Sequence, residues 1–398
     1  MSIATSFWRL PSSGRLFMTK MKKSFHWMFI FTVLANRKIP SYVVAALGFL
    51  PVLAFALTPT ITGVAGTVGP GQTLTITGTS MVQENTTNWD PLFSGSAYGF
   101  EGSSPAADGY TTSCSFLSYD STVKLMGSKS MKMHDSGQHV RQADGSGVGA
   151  CEWGWAVQAA SGQGPADVYL RTYSRWNNTS WPDTDIKYWW MGNNTGNTIF
   201  FNFDPHGDGS APTTWGFSAD GVSAGSFQFF NIPGGAIQNN KWYLFEAHFR
   251  RAGFGSYVIE GWIDNQPVFT VPAIAGVGAS GISGEWQSDV NYWNTPAGWS
   301  SDQWQDGFVV SGTRVGPASL IEIGNCSTYL LGAKVYQEPL FLSDGSSQIK
   351  ANLSGLGSGP YVLWVTNNGK ERSLPFQLGT GTLSCAPAIP APLNLKVL

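Results

Sequence analysis

The chain has 398 residues, of which 12% are charged and 14% aromatic, with 48 Gly, 17 Trp and a formal net charge of -2. No global positive field exists to draw in a polyanion, so the balance excludes an electrostatic binder of nucleic acid or of an anionic membrane. It excludes a helical enzyme and a disordered tail as well, because low charge with abundant Gly, Ser, Thr, Asn and aromatics is the usage of secreted β-rich proteins.

Residues 1–56 read as a targeting segment. Lys22 and Lys23, then Arg37 and Lys38, precede the apolar run SYVVAALGFLPVLAFA (residues 41–56), which ends in Ala54-Phe55-Ala56. Basic residues, a short apolar stretch and small residues at its end are the parts of a secretory signal. The run is shorter than the roughly 20 residues that span a bilayer, and Pro51 interrupts it. A second apolar stretch, SFHWMFIFTVL (residues 24–34), leaves an uncleaved anchor as the alternative and as the one route to a membrane. Met18 and Met21 are alternative starts, and the mature chain is expected to begin near Leu57 and to be extracellular or at the cell surface.

Two short alternating strands with a Gly/Pro turn follow in PTITGVAGTVGPGQTLTITGT, residues 59–79. The other end of the chain repeats that style. IKANLSGLGSGPYVLWVTNNGKERSLPFQL, residues 349–378, reads strand, turn, strand, with an Asn-Gly turn between alternating runs, a strong hairpin signal. These two ends resemble the first and last parts of one immunoglobulin-like TIG (IPT) domain. Members of that family open with Pro-x-Ile-x-x-Val and Gly-Gln-Thr-Leu-Thr-Ile-x-Gly segments and close with a Gly-x-Tyr-x-Leu-x-Val-x-Asn hairpin. The resemblance implies that residues 57–84 and 318–380 form one immunoglobulin-like β-sandwich. Residues 85–317 would then be an insert, and 381–398 a Pro-rich tail whose Pro-x-Asn-Leu-x-Val is similar to the first strand of a fibronectin type III domain.

Inside the insert, SKSMKMHD, ADVYLRTYSRW, DIKYWWMG, NTIFFNFD, GSFQFFN, KWYLFEAHFR, SYVIEGWID and DGFVVSGTRVG succeed one another as β-rich runs separated by Gly, Pro, Asn or Asp. No helix-period stretch interrupts them, and strands this numerous with polar turns predict an all-β, two-sheet jelly roll. The order YLRTYSRW, DIKYWWM, KWYLFEAHFRR, YVIEGWIDNQPVF and DGFVVSGTRVGP resembles a concanavalin-A-like lectin/glucanase domain of the polysaccharide-lyase-like branch. That resemblance runs over most of residues 125–317 and fits 85–124 poorly. It implies a glycan ligand on the concave face of one sheet.

Alternation along the strands supplies candidates for that face. In NKWYLFEAHFRR (residues 240–251), Tyr243, Phe245, Ala247 and Phe249 share one parity, and Glu246, His248 and Arg250 the other. Asp167, Tyr169, Arg171, Tyr173 and Arg175 share a side, as do Phe200, Asn202 and Asp204, and Glu260, Trp262 and Asp264. The expected ligand contacts are Arg171, Tyr173, Arg175, Asn202, Glu246, His248, Arg250, Glu260 and Trp262. Aromatic planes stack on sugar rings, while Arg and Asn bond hydroxyls and Arg pairs with uronate carboxylates. The wet side of any antiparallel sheet offers a similar mixture without function.

Three functions follow from the pattern. The first is a secreted polysaccharide-binding protein. The second is a lyase on acidic glycans, with His248 or Tyr173 as base and Arg171 or Arg250 on the carboxylate. The third is a structural surface protein. Hydrolysis would need a Glu-x-Asp-x-x-Glu strand, and Glu260 with Asp264 lacks the third acid. The Arg-Ser/Thr-Glu and Gln-Ile-His motifs of alginate lyases are absent; His134 and His139 are alternatives for the lyase chemistry, but sit near a first strand and are expected to decorate a loop.

No cofactor is expected. Calcium is the one metal candidate, at DPHGDG, where Asp204 and Asp208 flank His206 before a Gly without the downstream bidentate Glu of a calcium loop. Cys114, Cys151, Cys326 and Cys385 match no zinc spacing and suit export. Of the three pairings that four cysteines allow, one bridge within each proposed unit gives Cys114–Cys151 and Cys326–Cys385.

Overall fold

The computed structural model of the chain describes residues 57–82, 100–108, 111–112, 117–136, 150–156, 167–181, 186–191, 199–204, 209–219, 228–250, 258–271, 285–291, 300–368, 370–383 and 385. The targeting segment, Cys114, His139, His206, Asp208 and the tail from 386 onward lie outside these residues, and so do the calcium loop after Asp204 and the Cys114–Cys151 pairing. Among the described residues, no helix is long and apolar enough to cross a membrane.

The described chain is all-β. Its strands begin with β1 (Thr60–Ala65), β2 (Thr73–Thr79), β3 (Thr111–Thr112), β4 (Leu117–Asp120), β5 (Ser130–Ser136), β6 (Ala150–Ala156) and β7 (Asp167–Asn178). Next come β8 (Ile186–Met191), β9 (Ile199–Asp204), β10 (Thr214–Ala219), β11 (Gln228–Asn231), β12 (Tyr243–Arg250), β13 (Val258–Ile263), β14 (Gln266–Val271) and β15 (Glu285–Asn291). The last are β16 (Ser300–Ser311), β17 (Ser319–Gly324), β18 (Lys334–Tyr336), β19 (Glu338–Phe341), β20 (Ser346–Lys350), β21 (Tyr361–Asn367) and β22 (Phe376–Leu378).

The two ends of the chain close on each other. β2 pairs antiparallel with β20, from Thr73↔Lys350 to Thr77↔Ser346, in a sheet ordered β1-β2-β20-β19. A second four-stranded sheet, β18-β17-β21-β22, faces it. Leu74 and Ile76 alternate with threonines along β2, so both point inward and join Ile321, Ile323, Ile349, Leu363 and Val365 in one core. The Asn367 amide donates to the carbonyls of Leu57 (2.8 Å) and Ser80 (3.2 Å), stitching the start of the described chain to the end of β21. After β21 the chain reverses as the Asn-Gly signal predicts, with Lys370 N–H donating to Asn367 and Ser373 N–H to Val365. Cys326 and Cys385 form the expected disulfide, their Cα atoms 4.5 Å apart.

Between β2 and β17 lie two seven-stranded sheets, β14-β13-β12-β7-β16-β5-β4 and β11-β10-β9-β8-β15-β6-β3. Their facing sides enclose an aromatic core, as in a jelly roll. Phe245 packs edge-on to Trp176 (5.7 Å), Phe203 (5.7 Å) and Trp215 (5.4 Å), and tilted by 58° against Tyr188 (5.0 Å). Each such pair adds about 0.5–1.5 kcal/mol beyond the area it buries. Gly261 is required where these rings crowd β13, since a Cβ there would lie 2.4 Å from Phe269 and 2.6 Å from Trp215. The β13–β14 hairpin turns on Asp264 (φ 49°) and Asn265 (φ 61°), the left-handed pair of a type I′ turn.

The outer side of the first seven-stranded sheet is not wet throughout. Tyr173, Trp242, Leu244 and Trp304 from that side share a core with Leu74, Ile321 and Leu342 of the four-stranded sheets. The Leu342 N–H donates to Leu125 at 2.8 Å, closing the seam.

Candidate functional site

Cross-strand register sorts this outer face into rows. One row runs Thr270, Glu260, His248, Tyr169 and Ser311 across β14, β13, β12, β7 and β16. The next holds Trp262, Glu246, Arg171 and Val309, and the third Leu244, Tyr173 and Asp306. The fourth has Arg175, Trp304 and Lys132, and the last Asn177, Asp302 and His134.

The middle rows are closed by residues 313–318, which leave β16 and cross back over the sheet. Arg314 donates from Nε (3.2 Å) and Nη2 (2.6 Å) to the two carboxylate oxygens of Glu246, and Gly316 N–H adds a third bond at 2.9 Å. The Arg171 guanidinium donates to the carbonyls of Gly307 (2.9 Å) and Gly316 (3.4 Å). The Tyr173 hydroxyl accepts from Ala318 N–H at 3.0 Å. Asp306 accepts from the N–H groups of Leu125, Met126 and Gly307, each at 2.8 Å. Its burial nevertheless raises its carboxyl to about 7 against those three bonds, and the charge of Glu101 pushes the same way.

The expectation that Arg171, Tyr173 and Glu246 line an open groove is therefore corrected: all three are buried beneath the chain's own strap. The Tyr173 hydroxyl accepts from Ala318 N–H there. Asn202 departs in another way. It lies on β9 in the other seven-stranded sheet, in register with Lys187 and Gly216, and is buried. Asp204 belongs to that sheet too. Strand parity fixes which residues share a side of their own strand, but not which sheet the strand joins.

At the open end the row is ordered differently. His248 Nδ1 lies 2.7 Å from Glu260 Oε2, and the Thr270 hydroxyl donates to Glu260 Oε1 at 3.3 Å. The imidazole stacks on the Tyr169 ring at 3.8 Å and 4°. Its side chain is only 1% exposed, whereas Glu260 retains 23%. Trp262 is half-buried with the Arg314 guanidinium 4.2 Å from its ring centre, and Arg250 is half-buried one position beyond the row.

At the far end, Arg175 donates to Asn240 (3.1 Å) and lies 5.6 Å from the Trp304 ring, with burial lowering its pKa against the pull of Glu338. His134 and Lys132 share Asp302, at 2.6 and 3.1 Å. Arg314, Asp306 and Trp304 are residues of this face that strand reading passes over. Arg314 stands in the Thr-Arg-Val-Gly-Pro segment, legible only as the end of the last jelly-roll strand. Among the described residues, no three His, Cys, Asp or Glu side chains gather as metal ligands.

No protein-family model matches the chain, and no curated protein matches it by sequence. Among solved structures it is similar to the cellulose induced protein Cip1, at 20% identity and TM-score 0.32, over 52% of this chain and 93% of that one. It is similar to the alginate lyase Aly36B at 11% identity and TM-score 0.40, over 57% and 98% of the two chains. An endo-beta-1,4-glucuronan lyase from the fungus Trichoderma reesei matches at 13% identity and TM-score 0.35, over 57% and 94%.

Proposed function

We propose that the chain is an extracellular glycan-binding protein that meets its ligand at the open end of the outer face. There Tyr169, Arg250, Glu260, Trp262 and Thr270 remain at least partly exposed. The observation that carries the reading is the row Thr270–Glu260–His248–Tyr169, a hydroxyl, carboxylate, imidazole and phenol in fixed orientation beside an indole. Such a set offers acceptors and donors for sugar hydroxyls and an aromatic flank for a ring face. The Cys326–Cys385 disulfide fits an oxidising compartment. The pairing of β2 with β20 supports an immunoglobulin-like, TIG-type sandwich split by the jelly roll as the domain reading.

The His248–Glu260 pair favours a second reading, a lyase on an acidic glycan. A carboxylate on Nδ1 sets the tautomer and orientation of the ring, as it does for a histidine base, with Arg250 on the uronate carboxylate.

One experiment separates the readings. The full chain is incubated with neutral and acidic polysaccharides, and both retention on the polymer and absorbance of unsaturated uronate ends are recorded. Binding alone gives retention that falls in Trp262→Ala with no new absorbance. A lyase gives absorbance that rises with time and vanishes in His248→Ala. Neither signal on any polymer overturns both and leaves the structural surface protein.

A further inference from the structure

Arg314, whose guanidinium lies 4.2 Å from the Trp262 ring centre, also lines a hollow of about 220 Å3. The hollow sits where the strap meets the β13–β14 turn, β17 and the turn after β21. It is smaller than the about 300–1,000 Å3 usual for a whole small-molecule ligand, so it has room for one group or ring of a larger one.

The polar groups free to bond a ligand there are donors. Arg314 donates from Nε and Nη2 to Glu246 and Asn265, and among the described residues its Nη1 has no partner. The Asn265 oxygen accepts one of those bonds, which leaves its Nδ2 hydrogens to donate. Lys370 is exposed, and among the described residues its ammonium makes no ion pair or hydrogen bond. Its backbone is held in the left-handed region at φ 63°, with its N–H on the Asn367 carbonyl at 2.9 Å. Glycine adopts that conformation more readily than a residue with a side chain, so the turn carries an ammonium where its backbone favours none.

The charge is one-sided as well. Among the described residues no Asp or Glu lines the hollow, and Glu371, next in the chain, is exposed outside that lining. Arg314 is balanced by the buried Glu246, which leaves Lys370 as the surplus positive charge and suits a group with a single negative one. Val315, Pro317 and Leu320 supply apolar wall for the C–H face of a ring.

We infer that this hollow is a subsite for an acidic sugar residue, with Lys370 Nζ, Arg314 Nη1 and Asn265 Nδ2 bonding its carboxylate or sulfate ester. The inference rests on the glycan-binding reading above and names the ligand class: the ring at Trp262 and the anionic group beside Arg314 belong to one acidic polymer. The chain's net charge of -2 gives polyanions no general attraction, so a preference for one has to arise from a local cluster.

The test compares retention of the full chain on polygalacturonate and on its methyl ester, and on dextran sulfate and dextran, at low ionic strength. One anionic polymer should be held about tenfold more tightly than its neutral counterpart, the equivalent of 1.4 kcal/mol. Which pair shows the difference tells carboxylate from sulfate. Lys370→Gln should abolish the preference and Lys370→Arg should keep it. Lys350→Gln, the same loss of charge on β20 outside the hollow, should keep it too. Equal retention of charged and neutral forms overturns the inference and leaves the glycan reading standing, whereas retention of no polymer overturns both. A preference that survives Lys370→Gln, or that Lys350→Gln abolishes equally, also overturns it, because the hollow is then not its source.

Discussion

Glu246 and His248 are two residues apart on one strand, share a side, and are equally hidden from solvent, yet they are built into different structures. Glu246 is clamped by the strap through Arg314 and Gly316. His248 is enclosed by its own row, with Tyr169 on its face and Glu260 on Nδ1. In the middle of the face, charge ties the strap to the sheet. At the open end, the same residue types are arranged beside exposed polar groups. Ionisable residues alternating along a strand thus report a polar face, and what lies above that face decides their use.

The largest expected effect comes from breaking the clamp. Arg314→Ala leaves the Glu246 carboxylate buried with only Gly316 N–H, and an uncompensated buried charge costs about 3–5 kcal/mol. Urea unfolding should show a loss of that order. Replacing both partners together, Glu246→Leu with Arg314→Met, should recover much of it, because no stranded charge remains. A loss below about 1 kcal/mol for Arg314→Ala alone would mean that Glu246 is not clamped and that the two ends of the face are equivalent.

A pH series probes the seam next. The Asp306 carboxyl stands near 7 and Asp264 near 6, both raised by burial from 3.8. Between 3.8 and those values the native chain holds more protons than the unfolded one, so stability falls as pH rises through the window. The contribution is complete below 3.8 and gone above about 7. The melting temperature should accordingly be higher in mildly acidic than in mildly alkaline buffer. Asp264→Asn keeps an acceptor for Leu244 N–H and removes the titration, flattening the profile below about 6. Equal slopes in the two proteins would show that Asp264 ionises as freely as in the unfolded chain.

Much of the architecture was legible because burial leaves a period-two trace. Leu74 and Ile76 in β2, and Tyr243 through Phe249 in β12, point to the cores that their spacing implies. The Asn-Gly reversal and the Cys326–Cys385 pairing were legible too. Strands β6, β10 and β15 were not, since ACEWGWA, TWGFSA and EWQSDVN carry few β-branched residues and two of them contain Gly. At Gly216 the reason is physical: a Cβ there would lie 1.8 Å from the Gln228 carbonyl of β11, so the strand needs a residue that reads as a breaker. The covered part of the face was illegible for another reason. Nothing local to Arg171, Tyr173 or Glu246 records that residues 314–318, far along the chain, return to bond them.

The smallest effect is expected at the last row, where Asp302 joins Lys132 and His134. The distances match those of the Glu246–Arg314 clamp, but His134 is 52% exposed and Asp302 22%, against 2% for Glu246. Water solvates these groups in the folded and unfolded chains alike, so the pair gains little on folding. Asp302→Asn should cost about 0–1 kcal/mol, and the cost should shrink as salt is raised from low to molar concentration. Arg314→Ala should keep most of its cost over the same range, because the buried carboxylate lies beyond the reach of screening ions. If the two losses respond to salt alike, then cover by the strap does not distinguish the middle of the face from its ends, and Glu246 belongs with the solvated groups.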